Sequence, residues 1–196
     1  MNVTRHYCRF AALALAAVLV ACASTKPTLY TIATVSGAER NNAPRVILLQ
    51  PIGLERYLER SQIVRSSENY RLDVMENDWW GEPLSAMLSR VLVSELGQRL
   101  PQSIVISEGG AVSATPDATI SLNVQRLDED AAGNLVLEAQ ASVGFKAKGA
   151  PTLQDFRFTV PPSALGIPGE VAAMSTAVGQ LADGLTTMVV SGPTGR

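Results

Sequence analysis

Histidine and cysteine are almost missing from this chain: one His and two Cys in 196 residues. A Ser-His-Asp or Cys-His nucleophile system needs an imidazole base poised near neutral pH, and zinc sites draw mainly on Cys and His. Neither chemistry has the residues to work with. The sequence also lacks a Gly-Lys-Ser/Thr phosphate loop and a Gly-x-Gly-x-x-Gly turn. Aromatic residues make up 5%, too few for a base-stacking platform. The net charge is −2 with no basic block, so nucleic acid is not an expected partner. Nothing places two carboxylates for a carboxylate-only mechanism. The expectation is a protein that is not an enzyme and uses no cofactor or metal.

What is present begins with an address. Arg5 and Arg9 form a positive segment, and Phe10 to Ala21 is an uncharged run rich in Ala, Leu and Val. At about a dozen residues it is too short to span a bilayer, which takes roughly 20. The run ends in Leu19-Val20-Ala21-Cys22, which resembles a bacterial lipobox with Cys22 as the lipid acceptor. Residues 1–21 are therefore read as a signal segment, 22–28 as a lipidated tether and 29–192 as one folded domain.

Cleavage before Cys22 removes His6, Cys8, Arg5 and Arg9. The remaining chain has 14 basic and 18 acidic side chains, a net charge of −4, and no histidine. Ala23-Ser24 lacks the Asp at +2 that would hold a lipoprotein at the inner membrane. By resemblance to that sorting rule, the expected address is the periplasmic face of the outer membrane. From Cys22 to Leu29 the tether reaches at most about 25 Å, so the domain sits close to the membrane.

Periodicity predicts an α/β domain with a mixed, mostly antiparallel sheet and two main helices. Leu29–Val35 reads as a first strand, Arg45–Gln50 as a strand buried on both faces, and Asn69–Met75 as an alternating strand. Leu84, Leu88, Val91, Leu92, Leu96 and Leu100 recur at helical spacing. That helix is expected to start between Asp78 and Pro83, capped by Asp78 or Glu82, with Glu95 and Arg99 away from its apolar face. Ile104–Ser107 reads as a short strand. A long hairpin follows, Ile120 to Phe145, turning at Asp128-Glu129-Asp130 and Gly133-Asn134. Phe156, Phe158 and Val160 alternate again. Val171, Met174, Val178, Leu181, Leu185 and Met188 mark a second helix.

Tyr57, Arg60 and Trp79 are the candidate partner-binding residues. Tyr57 and Arg60 either contact a partner or order the turn within an ion-pair cluster with Glu55, Arg56, Glu59 and Arg65. Trp80 is expected to staple the helix start to the sheet, leaving Trp79 on a different side of the helix as the better surface residue.

Tyr57-Leu58-Glu59-Arg60-Ser61-Gln62-Ile63-Val64 is similar to a Tyr-Leu-Asp-Arg-Pro-Gln-Ile-Val run, and Trp80-Gly81-Glu82-Pro83-Leu84 to Trp-Ala-Glu-Pro-Leu. With the lipobox and a first strand containing Tyr30-Thr31-Ile32, the chain resembles the PqiC/YmbA family of ABC-type transport auxiliary lipoproteins. The departures are Glu59 for Asp, Ser61 for Pro and Gly81 for Ala. The resemblance implies an outer-membrane lipoprotein docking a Mce-domain lipid-transport assembly, with a homo-oligomer left open. The alternative is a carrier that holds lipid in its own groove.

Overall fold

The computed structural model describes residues 26–146 and 148–192; Cys22 and the signal segment lie outside them. Among the described residues nine strands form one mixed sheet with two helices. In chain order these are β1 Thr28–Tyr30, β2 Val46–Leu49, β3 Gly53–Leu54, β4 Gln62–Ser66, β5 Asp73–Trp80, α1 Leu84–Arg99, β6 Ile104–Ser107, β7 Ala118–Glu129, β8 Leu135–Phe145, β9 Lys148–Val160 and α2 Ile167–Ser191.

The long strand β7 organises the sheet. One of its edges pairs antiparallel with β8 along its whole length, and β8 pairs antiparallel with β9. Its other edge is shared in turn by β2, β3 and β4, all parallel to it. Beyond β4 come β5, antiparallel, and β1, parallel to β5. Strand β6 closes the other side next to β2.

Period-2 alternation sets the faces. Ile120, Leu122 and Val124 of β7 and Leu137, Ala139, Ala141 and Val143 of β8 are buried in one core with the helices. Ser121, Asn123, Gln140 and Ser142 lie on the opposite face. An irregularity between Val124 and Arg126 shifts the register, so that Leu127 returns to the core. The apolar stripe of α1 is buried as its spacing predicts, and so is that of α2. Gly184 lets α2 approach the sheet: a Cβ there would sit 2.4 Å from the Phe156 ring.

Four local expectations shift. Strand β1 stops at Tyr30, because the chain beyond it bonds to the helices. Strand β5 starts at Asp73 and runs through Trp80, so both tryptophans belong to a strand and not to the helix start. Helix α1 begins at Leu84 with Pro83 in the capping position and no side-chain cap, so neither Asp78 nor Glu82 fills that role. Strand β2 has Ile47 and Leu49 fully buried but Val46 and Leu48 only partly, so it is buried chiefly on one face.

Candidate functional site

Beyond Tyr30 the chain leaves the sheet and runs along both helices. Its backbone groups still need partners, and helix side chains provide them. The amide of Ile32 donates to Met87 Sδ (3.1 Å) and that of Ala33 to Ser175 Oγ (3.1 Å). The Val35 amide donates to Glu95 Oε1 at 2.7 Å. Gln98 brackets Gly37, accepting from its amide at 2.9 Å and donating to its carbonyl at 3.1 Å. The Arg40 amide donates to the Arg99 carbonyl at 2.7 Å.

Arg99 is the centre of this clasp. Only 1% of its side chain is exposed, yet the guanidinium is well partnered. It donates to Asp183 Oδ1 (2.6 Å) and to the carbonyls of Val35 (3.0 Å), Gly179 (3.0 Å) and Glu95 (3.3 Å). The planar fork with five N–H donors suits such a site, where a point-charge ammonium would leave carbonyls unsatisfied. Gly37 permits the close approach, since a Cβ on it would fall 2.4 Å from Arg99 Nε. Glu95 is 2% exposed, with Oε2 3.8 Å from Arg99 Nη1. Burial pushes its carboxyl above the usual range, against the opposing pull of the Val35 amide and Arg99. The arrangement fastens the chain that follows β1 to both helices.

Tyr57 lies in a 3-10 turn, Arg56–Glu59, and is turned inward. Its hydroxyl donates to Asp128 Oδ2 at 2.8 Å, and its ring packs against the core. Asp128 is fully buried and also accepts from Arg126 Nε at 2.8 Å. Burial, and then the Asp128 charge, raise the Tyr57 phenol well above its ordinary value. Arg60 is exposed just ahead of β4. Trp79 sits on β5 in register with Leu29 of β1 and Gln62 of β4. It is half-buried, and its indole donates to the Glu76 carbonyl at 2.9 Å. Trp80 points the other way into the core.

Trp79 and Arg60 thus lie at neighbouring points along the β4–β5 pair, with Tyr57 engaged inside. The ion-pair cluster expected around Tyr57 takes a different form. Arg65 pairs with Asp73, and among the described residues no ion pair joins Glu55, Arg56, Glu59 or Arg60 to another.

An open concavity of about 430 Å³ lies on the sheet face away from the helices. Ser121, Asn123, Gln140, Ser142 and Asp155 line it, with Pro51 and Leu153 among its apolar edges. Ala139 and Ala141, the small inward residues of β8, are buried in the same core cluster as Leu181 and Leu185. Among the described residues no group of His, Cys, Asp and Glu is arranged to hold a metal, and no helix is long and apolar enough to cross a membrane.

Sequence reasoning missed the clasp. A signal existed: Val91, Glu95 and Arg99 follow one another at four-residue steps, so the two charged residues continue the row of a core valine. Nothing local marks Asp183, Gln98 or Ser175 as their partners.

Solved structures share this fold. A crystal structure of an uncharacterized protein aligns with a TM-score of 0.70 at 16% identity, covering 83% of this chain and 98% of that one. A protein from Xanthomonas campestris gives 0.68 at 18% identity, covering 83% and 95%. A PelC dodecamer from Paraburkholderia phytofirmans is a looser match, 0.40 at 12% identity over 81% and 95%. No curated protein matches the chain significantly. The first two of these likenesses, at their low identities, establish the fold alone. The family comes from the sequence match over residues 28–185: the chain belongs to the ABC-type transport auxiliary lipoprotein components, the family that its Tyr57–Val64 and Trp80–Leu84 runs resemble.

Proposed function

We propose that this protein is the outer-membrane-anchored subunit that docks a Mce-type periplasmic lipid-transport assembly, held to the membrane through acylated Cys22. The clasp is the observation that carries this reading. A tether ending in a free linker would leave the domain tumbling at the membrane. Here the chain after β1 is bonded to both helices instead of continuing as linker, which supports a domain kept close to its anchor, within reach of a partner crossing the periplasm.

The absence of Asp at +2 supports the outer-membrane address. A multiply acylated Cys gains about 0.8 kcal/mol per buried CH₂, enough for permanent anchorage. Trp79 and Arg60, with exposed Leu29 alongside, are the partner-facing residues of this proposal; Tyr57 contributes by ordering the turn between them and Asp128. The openness of the sheet concavity, with Ser121, Asn123, Gln140, Ser142 and Asp155 in its mixed lining, supports docking over an acyl-chain carrier.

The test is to solubilise the native acylated protein in mild detergent and identify co-purifying proteins and lipids by mass spectrometry. A Mce-domain protein at near-stoichiometric yield is expected. Bound lipid with no protein partner would overturn docking in favour of the carrier. Cys22→Ala should release the protein from membranes or leave an uncleaved precursor, and unchanged fractionation and acyl labelling would defeat the anchor.

A further inference from the structure

Three projections crowd one end of the molecule. The register pairs Ser66↔Glu129, Glu129↔Leu135 and Leu135↔Val160 set the end of β4, the end of β7, the start of β8 and the end of β9 side by side. At about 4.8 Å per strand, the row is roughly 14 Å wide. The β4–β5 turn, the β7–β8 turn and the loop from β9 to α2 all rise from it.

Two of these projections carry large apolar side chains in full contact with solvent. Tyr70 on the β4–β5 turn is 109% exposed, and Leu165 on the β9–α2 loop is 99% exposed. Leu72 adds a partly exposed neighbour to the turn. Asn69 and Tyr70 both adopt left-handed backbone conformations, with φ of 56° and 62°. For a tyrosine that geometry costs about 1–2 kcal/mol, and glycine would avoid it. Positive φ at both positions is what a type I′ hairpin turn needs, and the Arg71 amide closes it on the Glu68 carbonyl at 3.2 Å, but the second position favours glycine, and here it displays an aromatic ring to water.

The chain leads toward the same end. Strand β1 is parallel to β5, with Thr28 opposite Asp78, so the direction back from Thr28 follows β5 toward Asp73 and the Tyr70 turn. Five residues of β5 separate Asp78 from Asp73, about 17 Å. Six residues separate Thr28 from Cys22, at most about 22 Å. A tether of that length, fully extended, is long enough to bring an acyl anchor at Cys22 to the level of the turn.

Charge at this end is only partly paired, since Glu129 and Asp130 form no ion pair among the described residues. Asp73 pairs with Arg65, and Arg126 pairs with Glu68 and with buried Asp128. Asp130 accepts from the Ala132 and Asn134 amides within its own turn. Arg71, exposed beside Tyr70, adds a cation suited to phosphate headgroups.

We infer that this end is a membrane-contacting surface: Tyr70 and Leu165 enter the headgroup layer beside the acylated Cys22 and stand the domain upright on the bilayer. Tyrosine is favoured at that depth because its ring is apolar and its hydroxyl stays wet. The inference rests on the acylation of Cys22 proposed above. It assigns the opposite end, where β7 starts and Ile104 of β6 is exposed, to face away from the membrane.

The test uses the full acylated protein in vesicles of phosphatidylethanolamine and phosphatidylglycerol. Single variants Tyr70→Cys, Leu165→Cys and Ile104→Cys carry an environment-sensitive nitrobenzoxadiazole label; acylated Cys22 is blocked by its thioether. Blue-shifted emission, quenched several-fold more by nitroxide-labelled lipid at positions 70 and 165 than at 104, is expected. Equal, water-like emission at all three positions in protein that still floats with the vesicles overturns the membrane contact while leaving the anchor intact. Shielding of 70 and 165 that grows with protein density, without lipid quenching, would identify a second copy of the chain there and also overturn it. Failure of the unlabelled protein to float would defeat the acylation reading and this inference with it. The double variant Tyr70→Ser, Leu165→Ser should keep its flotation and thermal midpoint, yet become more accessible to protease at the β4–β5 turn.

Discussion

The clasp between the two helices and the space beneath the first turn of α2 both bury charged groups, and they do so in opposite ways. At the clasp, Arg99 is surrounded by three carbonyls and a carboxylate, and its charge is matched. Beneath α2, Glu170 is 1% exposed and neither carboxyl oxygen has a hydrogen-bond partner. Its acid is pushed up to about 8, first by burial and then by the negative charge of Glu129, with Asp128 and Asp73 adding to it. Arg65 pulls the other way and loses. So does the helix dipole, which favours a carboxylate near an N-terminus by at most about 2 kcal/mol. The lesson concerns what burial permits. Arg99 keeps its charge among partners, whereas Glu170, with none, is held toward its neutral acid form.

Removing the centre of the clasp is the strongest way to break that comparison. Arg99→Met keeps the bulk but leaves Glu95 buried without its cation and several carbonyls unpaired. A loss of about 3–5 kcal/mol is expected in urea unfolding. Adding Glu95→Gln should recover part of it, because the stranded carboxylate is then gone. A double variant no more stable than Arg99→Met would show that Glu95 gains nothing from Arg99.

Glu170→Gln sharpens the contrast from the other side. Below pH 4.5 the carboxyl is protonated in both folded and unfolded chains and costs nothing extra. Between 4.5 and about 8 the unfolded chain releases a proton that the folded chain keeps, so stability falls as pH rises. The slope is about 1.4 kcal/mol per pH unit, and it levels off above the folded value. The variant should unfold at higher urea than the parent at pH 7, by up to ~3 kcal/mol, and match it near pH 4. An unchanged pH profile would mean that Glu170 is ionised in the fold.

Asp128 is an intermediate case near Glu170: a fully buried carboxylate that is partnered, by Tyr57 and Arg126. Tyr57→Phe removes one donor and should cost about 1–2 kcal/mol. It should also change the alkaline limb. Because the folded phenol is raised above its ordinary 10.0, folding loses stability as pH climbs past that point, and the variant lacks this contribution. Urea midpoints for parent and variant across that range give both quantities.

The comparison also explains what could be read from the sequence. The leucine row of α1, the six apolar positions of α2 and the alternation in β7 and β8 are local periodic signals, and each produced the expected element. The Trp79-Trp80 pair was placed on the helix because Asp73–Trp80 does not alternate cleanly, and Pro83 draws attention to a helix start. Irregular pairing between β4 and β5 explains the poor pattern. Glu170 looks like a surface charge, and for Glu95 and Arg99 the four-residue row from Val91 is the one local sign that they face inward. Their surroundings come from segments far away in sequence: Val35 and Asp183 bond Arg99, and the charges of Asp73 and Glu129 act on Glu170. The inward turn of Tyr57 has the same origin, since Asp128 lies 71 residues away.

The smallest change should act at the exposed edge of the clasp. Gln98 holds Gly37 at both its amide and its carbonyl, much as a neighbouring strand would, but water reaches the pair. Solvent competes for exposed hydrogen bonds, so Gln98→Ala should lower global stability by no more than about 1 kcal/mol. Its local effect should be larger than that figure suggests. Without Gln98 the chain between Val35 and Arg40 has only the buried half of the clasp to hold it. Amide exchange at Gly37 should therefore accelerate, while exchange at Val35, bonded to buried Glu95, stays slow. If both amides speed up together, the clasp opens as one cooperative unit and Gln98 is as much a part of it as Arg99. Acceleration at Gly37 alone would divide the clasp into a fixed buried part and an adjustable outer one, with the fixed part nearer β1.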